Sequence, residues 1–160
     1  MSSLVFSMLD YCNSVYYGLP AYAVKKLQNV QNCCARLVWK KYIPVNSSLD
    51  DIYCELHWLK IRFRIIYKIL LIAHNCLHNK APEDVSALVS YSEHQRNRTL
   101  RATRSKSCYR DRAFSHVAPK LWNLLPKSVC EEDDLVEFKK KLKSFLMTRG
   151  DEFVEWAKRR

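Results

Sequence analysis

Residues 60–80 are apolar almost all round a helix. Ile61, Phe63, Ile65, Ile66, Ile69, Leu70, Leu71, Ile72 and Leu77 leave little room for a polar face. Such a helix belongs in the centre of a fold, covered by other elements. The covering elements should themselves be helices, because only two glycines and five prolines occur in 160 residues. That is too few for a loop-rich sandwich. The expected fold class is mainly α, a helical bundle, with at most a small β-hairpin between residues 98 and 110, before the C-terminal helices. Arg64, Lys68, Asn75 and Asn79 share one narrow stripe of the central helix, which should face solvent or a ligand.

The flanking segments carry their own periodicities. Residues 2–16 read as a helix ending near Gly18, which can adopt a left-handed cap, with Pro20 preventing continuation. Residues 22–39 are amphipathic: Ala23, Leu27, Val30, Cys34, Leu37 and Val38 on one face, Lys25, Asn29, Asn32, Arg36 and Lys40 on the other. Ser48 is placed to start a short helix over 49–56, and Pro82 to start another reaching Val89. Pro119 should begin a new turn or kink the helix over 111–125. Asp134 to Thr148 buries Leu135, Phe138, Leu142, Phe145 and Leu146. Its acidic start and lysine-rich continuation follow the sign order that a helix dipole favours. Four segments result: a helical unit over 1–90, a basic linker or hairpin over 91–110, a C-terminal helical unit over 111–148, and a frayed or weakly helical tail over 149–160.

Charge narrows the partners. The net charge is +11, an excess that favours a polyanionic partner, either nucleic acid or an acidic membrane surface, over solubility alone. From His94 to Lys127 nine cations (Arg96, Arg98, Arg101, Arg104, Lys106, Arg110, Arg112, Lys120, Lys127) face one acid, Asp111, for +8 of the +11. Guanidinium forks match phosphate oxygens. Solvation alone is the other reading of these arginines. For the interleaved Phe114 and Trp122, anchoring in the core is favoured over stacking on bases. Lys25, Arg36 and Lys40 on one helix, and Arg64 and Lys68 on another, are further candidate phosphate contacts. The seven cysteines form no disulfide framework. Their number is odd, no signal peptide precedes them, and most sit in apolar helical patterns. A reducing nuclear or cytoplasmic compartment is expected, not secretion. The apolar run Ile65–Ala73 is broken by Lys68 and is far too short to span a bilayer. No membrane partner is expected.

Three runs, in order, resemble one protein family. They are Asp111–Pro126 (DRAFSHVAPKLWNLLP), Leu9–Ser14 (LDYCNS) with Tyr17-Gly18-Leu19-Pro20, and Glu55–Leu59 (ELHWL) with Arg62 and Arg64. Together they resemble the C-terminal part of the reverse transcriptases of jockey-like LINE (non-LTR) retrotransposons, over roughly residues 4–148. The resemblance implies a thumb-like first unit followed by a C-terminal extension. In the intact enzyme that region would hold the template–primer backbone and the element's RNA. It also implies that the catalytic palm is absent. The family's palm clamps two metal ions with an aromatic-x-Asp-Asp motif, whose carboxylates hold the attacking and leaving oxygens. Here the two Asp-Asp pairs, Asp50-Asp51 and Asp133-Asp134, have Ser48 and Glu131 at the aromatic's position. Asp133-Asp134 reads instead as a helix start. Met1 falls within what would be the middle of a longer family helix, which suggests a truncated frame.

Two departures from the pattern stand out. Arg110 replaces the family's glycine, with a steric cost if that position needs a positive φ. Lys60 replaces a proline, which lets the next helix begin earlier. Cys54, His57, His74 and His78 have a local spacing that suits a tetrahedral zinc ion. Zinc is not expected, because His74 and His78 lie in a helix otherwise committed to the core. No nucleophile elbow or phosphate-binding glycine loop exists, and no cofactor is expected. The function expected from the sequence is a non-catalytic nucleic-acid-binding fragment, taking RNA or single-stranded DNA with weak sequence selectivity. The palm of a related polymerase is its expected protein partner. The alternatives are a structural or protein-interaction helical module, and a decayed reading frame without a cellular role.

Overall fold

The computed structural model describes residues 2–39, 48–92, 98–101 and 110–159. Among these the chain is mainly helical: α1 (Ser2–Asp10), α2 (Ala21–Trp39), α3 (Asp50–Glu55), α4 (Ile61–Leu77), α5 (Glu83–Ser86), α6 (Phe114–Trp122), α7 (Lys127–Cys130) and α8 (Leu135–Arg159), with short 3-10 turns at Asn13–Tyr16 and Arg110–Arg112. None of these helices is long and apolar enough to cross a membrane. The chain divides into two compact units, Met1–Ile65 and Ile66–Arg160. The division falls inside α4, between Ile65 and Ile66.

In the first unit the expected helix over 2–16 is interrupted. α1 stops at Asp10, Cys12 takes a left-handed conformation (φ 50°), and Gly18 does so again before Pro20 (φ 76°). Helix α2 lies where its periodicity predicts, but its buried stripe differs. Gln31 and Ala35 are fully buried, while Val30 and Leu37 are 49% and 68% exposed. The cause is hydrogen bonding. Gln31 Nε2 donates to the Leu59 carbonyl (2.8 Å), and Gln28 Oε1 accepts from the Ile61 amide (2.9 Å), capping the first turn of α4. Gln28 Nε2 also donates to Tyr53 Oη (2.8 Å). These amides tie the loop before α4 to α2. Ala35, Leu49, Ile52 and Tyr53 form the adjoining core, with Trp39, Leu56 and Trp58 packed against it.

Helices α3 and α4 end alike. His57 (φ 52°) and Asn79 (φ 54°) are left-handed. The Trp58 amide then reaches back to the Tyr53 carbonyl, and the Lys80 amide to the Asn75 carbonyl, both at 2.8 Å. Asn79 is thus a cap residue and not part of the polar stripe of α4. Ser48 Oγ accepts from the Asp50 amide (3.3 Å) where α3 begins.

The second unit centres on Trp122, Phe138, Ile69, Leu70, Leu121, Leu142, Leu146 and Phe153, all buried. Pro119 lies within α6, which runs unbroken from Phe114 to Trp122. Asp134 starts α8: its carboxylate accepts from the Glu137 amide (3.1 Å). Helix α8 does not fray at residue 149. It kinks at Arg149 (φ −126°, ψ 16°) and continues, with Phe153 and Ala157 buried and Phe145 edge-on to Phe153 at 5.6 Å. Among the described residues Tyr91 and Leu100 form an antiparallel bridge. It is flanked by bonds from the Ser92 amide to Thr99 and from the Arg101 amide to Ser90, both 2.9 Å. Most of the hairpin expected over 98–110 falls on residues 102–109, which lie outside the described ones.

Candidate nucleic-acid interface

The stem of the basic segment is fixed from beneath by α6. Asn123 acts on Leu100 as a neighbouring strand would. Its Oδ1 accepts from the Leu100 amide (2.8 Å), and its Nδ2 donates to the Leu100 carbonyl (2.9 Å). Trp122 Nε1 donates to the Arg98 carbonyl (3.0 Å). Trp122 is almost fully buried and stacks on Phe138 with centroids 5.8 Å apart. The tryptophan is therefore a core anchor, with its one polar atom satisfied by the segment it supports.

Arg98 is committed to this scaffold. Its guanidinium grips both oxygens of Asp133 and also donates to the Glu131 carbonyl (3.3 Å). The Arg98 hydrogen bond holds the exposed Asp133 carboxyl below its usual range. Arg98 thus fastens the hairpin stem to the junction of α7 and α8. Arg101, one residue past the bridge, is exposed. Arg112, in the 3-10 turn before α6, is also exposed, and Lys120 in α6 is half-buried. An open pocket of about 240 Å³ lies between Arg98, Trp122, Asn123, Lys127 and Glu131, with two cations and one carboxylate on its wall. Arg96, Arg104 and Lys106 lie outside the described residues, as does the side chain of Arg110.

The remaining cationic candidates divide between the units. Lys25 on α2 is exposed and Arg36 half-buried; Lys40 lies outside the described residues. Arg64 grips both carboxylate oxygens of Asp10 (2.9 and 2.6 Å), with its guanidinium 4.2 Å from the Phe6 ring centroid. It is a structural ion pair of the first unit. Lys68, half-buried on α4, belongs to the second.

Three of the four carboxylates in the two Asp-Asp pairs have other partners. Asp50 pairs with Lys60 at 2.6 Å, Asp133 with Arg98, and Asp134 caps α8. Of the four residues with zinc-like spacing, His74 is committed to the core. His57 is the left-handed cap of α3, and Cys54 is exposed. His74 stacks on Phe138 at 4.2 Å, and its Nε2 lies 3.1 Å from the Glu132 carbonyl. Among the described residues no group of three or more His, Cys, Asp or Glu could hold a metal ion. Burial pushes the Cys130 thiol up to about 11, so it stays protonated at neutral pH.

Asn123, Asp133 and the Glu131 carbonyl are the positioning groups that sequence reasoning missed. No linear pattern marks them, because each acts across more than twenty residues. No protein-family model matches the chain, and neither a curated protein nor a solved structure matches it.

Proposed function

We propose that this protein is a non-catalytic nucleic-acid-binding module that takes RNA or single-stranded DNA through the basic segment and its flanks. The observation that carries the reading is the ratio of nine cations to one acid between His94 and Lys127. The bonds from Trp122 and Asn123 to the Arg98 and Leu100 backbone support it, because they anchor the chain directly before the exposed Arg101. The three motif runs make a LINE-type reverse transcriptase the proposed origin, with the module corresponding to its thumb and C-terminal extension. The resembled enzyme's palm is its proposed protein partner, and a nuclear or cytoplasmic compartment its proposed location.

Binding should be weakly sequence-selective and steeply salt-dependent. If about four to six side chains meet phosphates, log K should fall with log salt at a slope of about −3 to −4, using the single-strand coefficient. Changing Arg101, Arg104 and Lys106 together to Gln should flatten that slope by about 2. Arg98→Gln should behave differently, lowering the melting temperature while flattening the slope by less than about 1 unit. An electrophoretic shift titration with structured RNA, single-stranded DNA and duplex DNA at several salt concentrations reads all of this. Equal affinity and an unchanged slope in the triple variant would remove the segment as the interface.

The same origin predicts no primer extension by the purified chain with magnesium and deoxynucleotides, since the palm carboxylates have no counterpart in this sequence. Extension that co-purifies with the chain and persists after contaminating polymerases are removed would refute it.

A further inference from the structure

The open pocket of about 240 Å³ in the second unit joins two ends of the basic segment. Arg98 lines it near the start of that segment and Lys127 at its end. The floor is apolar. Trp122 and Leu125 are buried there, and half-buried Cys130 donates its thiol to their carbonyls (3.7 and 4.0 Å). Trp122 is only 1% exposed, so it lends the floor an edge and not a ring face. The charged groups stand at the mouth. Lys127 opens α7, and Glu131 is its C-cap. Both are exposed, and a spacing of four puts them on the same side of the helix. Among the described residues neither the Lys127 ammonium nor the Glu131 carboxylate makes a hydrogen bond or an ion pair. The mouth therefore offers one donor and one acceptor.

Building on the nucleic-acid-binding function above, we propose that this pocket takes one unpaired cytosine of the bound strand. Charge disfavours a phosphate as occupant. The Arg98 guanidinium is engaged by Asp133, and the Glu131 carboxylate repels an anion. A cation is opposed in turn by Arg98 and Lys127. A neutral ring with a polar edge suits the apolar floor and the charged mouth. Size favours a single ring, because ordinary small-molecule sites start at about 300 Å³ and this pocket is smaller. Hydrogen bonding then selects among the pyrimidines. A carboxylate only accepts, and an ammonium only donates. Cytosine sets its N4 amino donor beside its N3 acceptor, and a glutamate accepts well from that amino group. Uracil has a carbonyl oxygen in place of the amino group, so Glu131 would meet a second acceptor. In a duplex this edge is already paired, and only an unpaired base presents it. One base read per site leaves overall selectivity weak.

Nuclear magnetic resonance titrations of the isotope-labelled full chain with cytidine and with uridine test the pocket without any phosphate. Cytidine should shift the Trp122 indole and Glu131 amide resonances saturably, with Trp122→Phe assigning the indole signal. It should bind about tenfold more tightly than uridine, from one charge-assisted hydrogen bond. Glu131→Gln, whose amide both accepts and donates, should cut that preference to about twofold or less. Its fold should hold, because Arg98 contacts residue 131 through the backbone carbonyl. Should circular dichroism show otherwise, Glu131→Ala decides instead, by losing about tenfold in cytidine affinity. No saturable shift, shifts confined to other residues, or an unchanged cytidine preference in the Glu131 variant would overturn the proposal. If nucleosides fail while oligonucleotides still bind with a salt-dependent slope, the pocket falls and the wider interface stands. Cytidine binding by a chain that takes no oligonucleotide would support the pocket as a base site and remove the proposed function.

Discussion

Trp122→Ala should lower the melting temperature by about 6–20 °C, from a cost of about 3–5 kcal/mol for emptying a large aromatic site. The side chain is almost fully buried, stacked on Phe138 and 6.5 Å from the ring of His74. Its removal leaves a cavity under α6 and strips the Arg98 carbonyl of its donor. Trp122→Phe separates the two losses. It keeps an aromatic ring against Phe138 and deletes the N–H, so the cost from the lost hydrogen bond should fall to about 1 kcal/mol. Thermal unfolding followed at the helical circular dichroism band reads both. The competing role for this residue is a base-stacking platform. If Trp122→Ala melted like the parent while losing affinity for single strands, the platform reading would stand and the core reading would fall.

The long-period features of this fold are legible in the sequence because burial imposes them. Helix α4 declares itself through apolar residues on all sides, and the start of α8 through Asp134. The continuation of α8 past Gly150 was also written there. Leu142, Leu146, Phe153 and Ala157 keep one stripe, but a glycine in the middle suggests an end. Instead Gly150 is buried and the backbone bends at Arg149, one residue earlier. Helix α2 misleads for a different reason. Periodicity assigns Val30 and Leu37 inwards, but the loop before α4 exposes a carbonyl and an amide that need partners. Gln31 and Gln28 supply them, and satisfying buried backbone groups decides which face turns in.

The candidate interface was legible as charge and illegible as geometry. Counting residues finds the cations between His94 and Lys127. It cannot find that Arg98 is held by Asp133, because that pairing depends on bringing the hairpin stem to the start of α8. Nor can it find Asn123 acting as a strand edge.

Acid should destabilise the second unit through His74. The ring is fully buried, stacked on Phe138 and 4.2 Å from the ring of His78. A carbonyl oxygen can only accept, so the contact with Glu132 places the proton on Nε2. Nδ1 is then a bare acceptor, buried without a hydrogen-bond partner. A second proton would create a cation in an apolar site and an N–H with nothing to receive it. Burial therefore holds the imidazole below its ordinary value of 6.5, and nearby His78 and Lys80 push the same way, against the Glu132 hydrogen bond and the Asp133 charge. The sign follows from linkage. A depressed histidine contributes stability that is fully present above the ordinary imidazole value and is lost as pH falls through the folded-state value. Asp133 and Glu132, held low by Arg98 and Lys141, lose theirs only further down, in and below the ordinary carboxylate range. Urea midpoints measured from neutral pH down to the carboxylate range should fall first in the imidazole window. His74→Leu should flatten that first decline and leave the carboxylate one, whereas His78→Gln should largely retain it. A first decline equally steep in His74→Leu would mean that another group titrates on unfolding, and His74 would then be only a packing residue.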